Sequence, residues 1–249
     1  MIFLNLIILS TVFLPFITIS VGIKNRIDPG KNIMIAVVTN LIVSTGILAM
    51  NKINGGVIES DLQKVAEFVS ENANSTGVIE GANISTEAFL ASFEITTNTM
   101  LTVLPASVIM WTIIISFIAY KILYKIYTLN GKNGDLRNIT EIKNFTLPRE
   151  FFVGMLVIFL LAFFSSMMFE SMGSEIYVNV SLILQFLFAV QGIAVVVTFL
   201  NSKRIPNAVS ILLCIIIYSL PYGNFVLNLI GVIEILFGLR RRMKPSRAR

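Results

Sequence analysis

Residues 151–169 read FFVGMLVIFLLAFFSSMMF, and residues 176–200 read IYVNVSLILQFLFAVQGIAVVVTFL. Neither stretch carries a charged side chain. At about 1.5 Å of rise per residue, each is long enough to cross a hydrocarbon core of about 30 Å. Within that core every backbone amide must be bonded inside the segment, so apolar runs of this length imply helices rather than strands. The fold class that follows is all-α, a polytopic transmembrane helical bundle.

The rest of the chain agrees. Its 249 residues are 55% hydrophobic and 13% charged, where soluble proteins carry about 25% charged residues. Further apolar runs place spans near Ile2–Val21, Ile33–Met50, Met100–Leu123, Pro206–Leu220 and Tyr222–Leu239. With the two stretches above, seven spans are expected. The reading is of a single membrane domain over residues 1–249, with an amphipathic extracytoplasmic insertion at 51–99 and a basic cytoplasmic tail at 240–249.

Charge sets the expected orientation. The net charge of +5 invites a nucleic-acid reading, but the 19 Lys and Arg residues sort by loop. All except Lys52 and Lys64 fall in alternate connections: the Lys24–Lys31 turn, the Lys121–Arg149 loop, Lys203 with Arg204, and the tail from Arg240. The other side collects carboxylates from Glu59 to Glu94, with Glu170 and Glu175. The positive-inside rule then puts Met1 outside and Arg249 in the cytoplasm. Met1–Val21 has no basic residue before its apolar stretch and no small-residue cleavage site after it, so it reads as a retained span.

Between Asn51 and Thr99, Ile58, Leu62, Val65 and Val69 recur at helical spacing, the pattern of a short amphipathic helix. Ser85 is the expected N-cap of a helix that starts with Glu87 in its first turn and runs into the third span, bent near Pro105. Trp111 falls in mid-span, where packing against a neighbouring helix is expected. Gly77 and Gly81 have dimer-motif spacing, but in a polar segment that lacks the packing rationale. Gly131–Gly134 lacks the Gly-Lys-Ser/Thr ending of a phosphate loop and reads as a turn.

With no histidine and one cysteine, the usual Cys/His zinc sites and intrachain disulfides are excluded. Cys214, in an apolar run, reads as a small buried hydrophobe. No cofactor is called for. The informative side chains are those that are costly in lipid. On the last span, Asn224, Asn228, Gly231, Glu234 and Gly238 step by three and four residues, forming one stripe that must face protein or a cavity. That stripe is either part of a substrate or proton pathway, or a packing face with Glu234 neutralised by a nearby arginine. Asn179, Gln185 and Gln191 on the fifth span point in different directions, and Asn40 with Ser44 forms a shorter pair on the second. The candidate intramembrane polar site is therefore Asn224, Asn228, Glu234, Asn179 and Gln191. Arg240, Arg241 and Arg242 are candidates for contact with lipid headgroups or a partner.

In the C-terminal half, a basic loop ends in Leu147-Pro148, Asn179 opens a span carrying Gln191-Gly192, a basic turn follows, and Gly231, Glu234 and Arg240–Arg242 close the chain. In this order and spacing, over Met100 to Met243, the chain resembles the YybS-like family of predicted bacterial membrane proteins, a domain of unknown function numbered 2232. Pro15 and the Lys24–Lys31 turn resemble that family's early hairpin. Members have one further early helix and a cytoplasmic start, and an aspartate is expected where Glu234 stands. The family is similar in general shape to the substrate-binding components of energy-coupling-factor transporters, which capture vitamins and partner with an ATP-driven module. The Ala-x-x-x-Ala docking motif of those components has no counterpart in Met1–Val21.

The functional expectation is a small-solute carrier, or the membrane-embedded substrate-binding component of one, with the lipid bilayer, a small solute and other membrane subunits as partners and no nucleic acid. The alternative is a structural or scaffolding protein whose basic loops bind anionic lipid or a protein partner. An enzyme is not expected, because acid–base or metal chemistry has few candidate residues here.

Overall fold

A computed structural model of the chain describes residues 2–75, 85–129 and 145–240. Gly77, Gly81, the Gly131–Gly134 turn, and Arg241 and Arg242 with the rest of the tail lie outside these residues. The described residues form helices α1 (Ile2–Lys24), α2 (Pro29–Ile53), α3 (Val57–Ser75), α4 (Thr86–Leu129), α5 (Arg149–Met168), α6 (Glu170–Ser202), α7 (Asn207–Ser219) and α8 (Gly223–Phe237). They fall into two compact units, residues 1–139 and 140–249.

In the first unit α1, α2 and α4 pack against one another, and α3 lies on α4. Local chemistry sets the helix starts. Asp28 caps α2, its side chain accepting the Gly30 N–H at 3.0 Å, while Pro29 occupies the first turn, where its missing N–H costs nothing. Ser85 caps α4, accepting the Ala88 N–H at 3.1 Å, and α4 then runs for 44 residues with Pro105 inside it. The amphipathic reading of α3 holds at its start: Ile58 is buried with Ile7 and Val108, and Leu62 packs beside them. Asn51 fixes the α2–α3 corner by accepting the Ile58 N–H at 2.9 Å. Trp111 departs from expectation. It is 58% exposed on the outward side of α4, among the apolar side chains of an outer face rather than at a helix contact.

In the second unit α6 is the central helix, with α5, α7 and α8 packed against it. Only Ala162 of α5 is buried, so α5 presents most of its circumference outward.

Five helices, α1, α2, α4, α5 and α6, are long and apolar enough to cross a membrane. The last two expected spans differ from the reading of seven separate crossings. With 13 and 15 residues, α7 and α8 each fall short of the roughly 20 residues that a crossing needs, and they join as one pair bent by 118°. The break has a local cause. Leu220 precedes Pro221, and the proline ring pushes it out of helical geometry to φ −75°, ψ 149°. Tyr222 then takes a left-handed conformation at φ +64°, and the chain turns.

Candidate functional site

The polar stripe on α8 faces protein, as its spacing requires. Gly231 and Glu234 are buried, whereas Asn224 and Asn228 are half-buried, with the Asn228 amide donating to Asn224 Oδ1 at 3.1 Å. The small residues bring backbones together. A methyl group on Gly231 would stand 2.0 Å from the Phe188 carbonyl oxygen, and one on Gly192 would stand 2.0 Å from that of Leu227. The helices α6 and α8 therefore cross in direct main-chain contact, which only glycine allows at these two points.

Glu234 is 7% exposed and Arg240 9%. The pair forms because α8 ends at Gly238, whose φ of +63° closes a left-handed cap, with its N–H donating to the Glu234 carbonyl at 2.8 Å. The chain then turns back along its own helix. The Arg240 main-chain N–H donates to Glu234 Oε2 at 3.0 Å and its Nε to Oε1 at 2.8 Å. Its Nη2 reaches Thr146 Oγ1 at 2.9 Å. Arg240, a candidate for contact with lipid headgroups or a partner, is turned inward onto these groups.

The neighbouring residue Leu147 donates its N–H to Gln191 Oε1 at 3.1 Å. Gln191 is fully buried, and its Nε2 has no hydrogen-bond partner among the described residues. The short segment before α5 is thus stitched to the end of α8 through Thr146 and to the middle of α6 through Leu147. Sequence reasoning named Glu234, Gln191 and Arg240 but could not name Thr146, which looks like any loop threonine. Asn179 is not part of this junction. It stands twelve residues from Gln191 along α6, about 18 Å by helix rise, with its amide donating to the Glu175 carbonyl at 2.8 Å. Asn224 lies ten residues before Glu234 on α8, about 15 Å away.

The three helices joined here also wall a groove of about 620 Å³. Phe152 and Phe159 line it from α5, Tyr177, Ser181 and Phe188 from α6, and Val232 from α8. The aromatic walls are mutually packed, with ring centroids 5.7 Å apart for Phe152 and Phe188 and 5.6 Å for Phe159 and Tyr177. Ser181 Oγ is buried and has no hydrogen-bond partner among the described residues. The exposed Gln185 amide also lines the groove and is the accessible polar group of a mainly apolar and aromatic surface. Among the described residues, no cluster of His, Cys, Asp or Glu is placed to hold a metal ion.

Comparison with known proteins places this architecture. The family described as "Predicted membrane protein (DUF2232)" matches residues 1–235, taking in the first two helices as well as the C-terminal half. The chain is similar to "Uncharacterized protein YybS" of Bacillus subtilis (strain 168), being 22% identical over 227 residues that cover 88% of this chain and 70% of that protein. No solved structure matches.

Proposed function

The chain belongs to the DUF2232 family of predicted membrane proteins, and we propose that it is a non-enzymatic small-solute carrier, or the membrane-embedded substrate-binding component of one. The observation that carries this reading is the groove of the second unit. Its volume of about 620 Å³ lies within the roughly 300–1,000 Å³ of small-molecule sites, which combine apolar and aromatic walls with a few polar groups. The aromatic faces suit a flat or apolar solute, and the exposed Gln185 amide supplies an orienting hydrogen bond. On this reading Glu234, Arg240 and Gln191 do not touch the solute. They hold α5, α6 and α8 at the spacing that makes the groove.

The orientation belongs to the same proposal. Arg240 contacts Thr146, so the start of the tail lies beside the end of the Lys121–Arg149 loop. Both are basic, and both fit the cytoplasmic face of a bacterial inner membrane.

The test is the thermal stability of the purified protein in detergent against a library of vitamins, nucleobases and amino acids, repeated with Gln185→Leu. A ligand that raises the midpoint in the parent and has no effect in a folded Gln185→Leu variant is the expected result. Silence across the library with an intact fold would overturn the carrier reading. A scaffold has its own support in the Glu234–Arg240 pair and the Gly192–Gly231 crossing, where polar and small residues serve helix packing.

A further inference from the structure

In the first unit, α2 turns its polar side inward. Every fully buried residue of α2 is polar, small or proline: Pro29, Asn32, Ala36, Asn40, Ser44 and Asn51. The apolar side chains of that helix, such as Met34, Val38 and Ile42, are exposed. Facing this polar line from α1 and α4 are Thr11, Thr112 and Ser116, all buried. At the centre, the Asn40 amide donates to Thr112 Oγ1 at 2.5 Å and to Thr11 Oγ1 at 3.3 Å.

The donors of Asn40 are satisfied, but Asn40 Oδ1, Ser44 Oγ, Ser116 Oγ and Asn32 Oδ1 have no hydrogen-bond partner among the described residues. Their residues are at most 2% exposed. The serines matter most. A helical serine or threonine in an apolar setting ordinarily donates to the carbonyl three or four residues back, as Thr11, Thr18, Thr112 and Thr198 do here. Ser44 and Ser116 do not, although such a bond lies within reach of any helical serine.

We propose that the middle of the first unit, between its two apolar clusters, is a water-binding seam, in which Asn40, Ser44 and Ser116 hold water molecules between α1, α2 and α4. The ligand class follows from the donor set. The three atoms are neutral oxygens, and buried polar atoms left unpaired by protein are the ones that bound water satisfies. Spacing excludes a single ion at one point. Ala36 shares a core cluster with Ala119 and Tyr120, so α2 and α4 run antiparallel about the Asn40–Thr112 bond. Ser44 and Ser116 therefore lie on opposite sides of that bond, each about 6 Å from it along the axis. From Ser44 to Ser116 the polar stretch extends about 12 Å along the axis.

Radical footprinting tests the seam, because hydroxyl radicals generated from bound water by brief X-ray irradiation oxidise side chains that bulk solvent cannot reach. In a Cys214→Ser background, Ser44→Cys and Ser116→Cys each place a reactive thiol on the seam. Cys214 of the parent, fully buried in an apolar run, serves as the dry reference. With the fold verified by melting temperature, the introduced thiols should oxidise about tenfold faster than Cys214, and adding Asn40→Leu should slow them. Thiols at both positions as inert as Cys214 would mean a dry helix interface with back-bonded hydroxyls, and would overturn the proposal. If neither serine variant folds, a thiol from Thr11→Cys, on α1 facing Asn40, gives the same readout with the same two outcomes.

Discussion

Arg240 reaches back six residues to grip both carboxylate oxygens of Glu234, one with its main-chain N–H and the other with its side-chain Nε. The pair is almost wholly buried, so its members depend on each other more than the fold depends on the pair. Breaking a buried ion pair from one side strands a charge and costs about 3–5 kcal/mol, whereas replacing both partners with apolar residues is often neutral. Glu234→Leu alone and Arg240→Leu alone should each lower the unfolding midpoint in detergent sharply. The double variant should recover most of the loss in a double-mutant cycle. Additive losses would show that the two residues act independently.

The crossing of α6 and α8 gives a second expectation. Alanine at Gly231 or Gly192 would push a methyl group to 2.0 Å from a main-chain oxygen, and no side-chain rotation relieves that. The helices must separate, at a cost of about 1–3 kcal/mol or more. At Gly46 and Gly154 an added methyl meets nothing within 4 Å, so alanine there should be neutral or gain up to about 1 kcal/mol through helix propensity. Thermal midpoints of the four single variants check this. A Gly231→Ala protein as stable as Gly154→Ala would refute the close crossing.

Several of these features were legible in the sequence. Glu234 on a stripe with two glycines, six residues ahead of an arginine, was readable as a polar face turned toward protein, with a neutralised carboxylate as one of its two readings. Ser85 was readable as a cap because its hydroxyl needs only the next turn of chain. Long-range and directional features were hidden. Hydropathy counts residues but carries no direction, so two apolar runs around Leu220-Pro221 read as two crossings although each helix is too short for one. Trp111 shows the limit of burial inference in lipid, where an apolar side chain is equally at ease on the outer face. Asn40 and Ser44 were visible as a pair, but Asn32 and Ala36, which extend the same four-residue spacing, were not joined to them. Nothing in the sequence aligned Thr112 with Asn40. The groove was also hidden, because its walls are ordinary phenylalanines until three helices meet.

Thr112 offers a third check, on the first unit. Its hydroxyl accepts from Asn40 and donates to the Val108 carbonyl. Thr112→Val keeps the shape and removes both roles. Interhelical hydrogen bonds of membrane proteins average about 0.6 kcal/mol and reach about 1.7 kcal/mol. Because this one sits at the meeting point of three helices, the expected loss is about 1 kcal/mol, above that average. Asn40→Leu should cost no less, and the two losses combined should be less than additive. Full additivity in unfolding measurements would mean that Asn40 and Thr112 are not bonded to each other.

The bent pair of α7 and α8 makes the side of the tail a sharp test of topology. Counting from an outside start, five crossings bring the end of α6, with Lys203 and Arg204, to the cytoplasm. If α7 and α8 enter and return on one side, the tail stays cytoplasmic, and every basic connection remains on the side that the positive-inside rule favours. If the pair forms a single broken span, the tail emerges outside and separates from the loop that ends at Thr146. The Arg240–Thr146 contact favours the return. In a Cys214→Ser background, a cysteine introduced by Asn54→Cys, at the exposed corner after α2, should react with an impermeant maleimide on intact cells. One introduced by Ser246→Cys should react only after permeabilisation. Labelling of both from outside would establish a broken span and place the tail opposite to the basic loops.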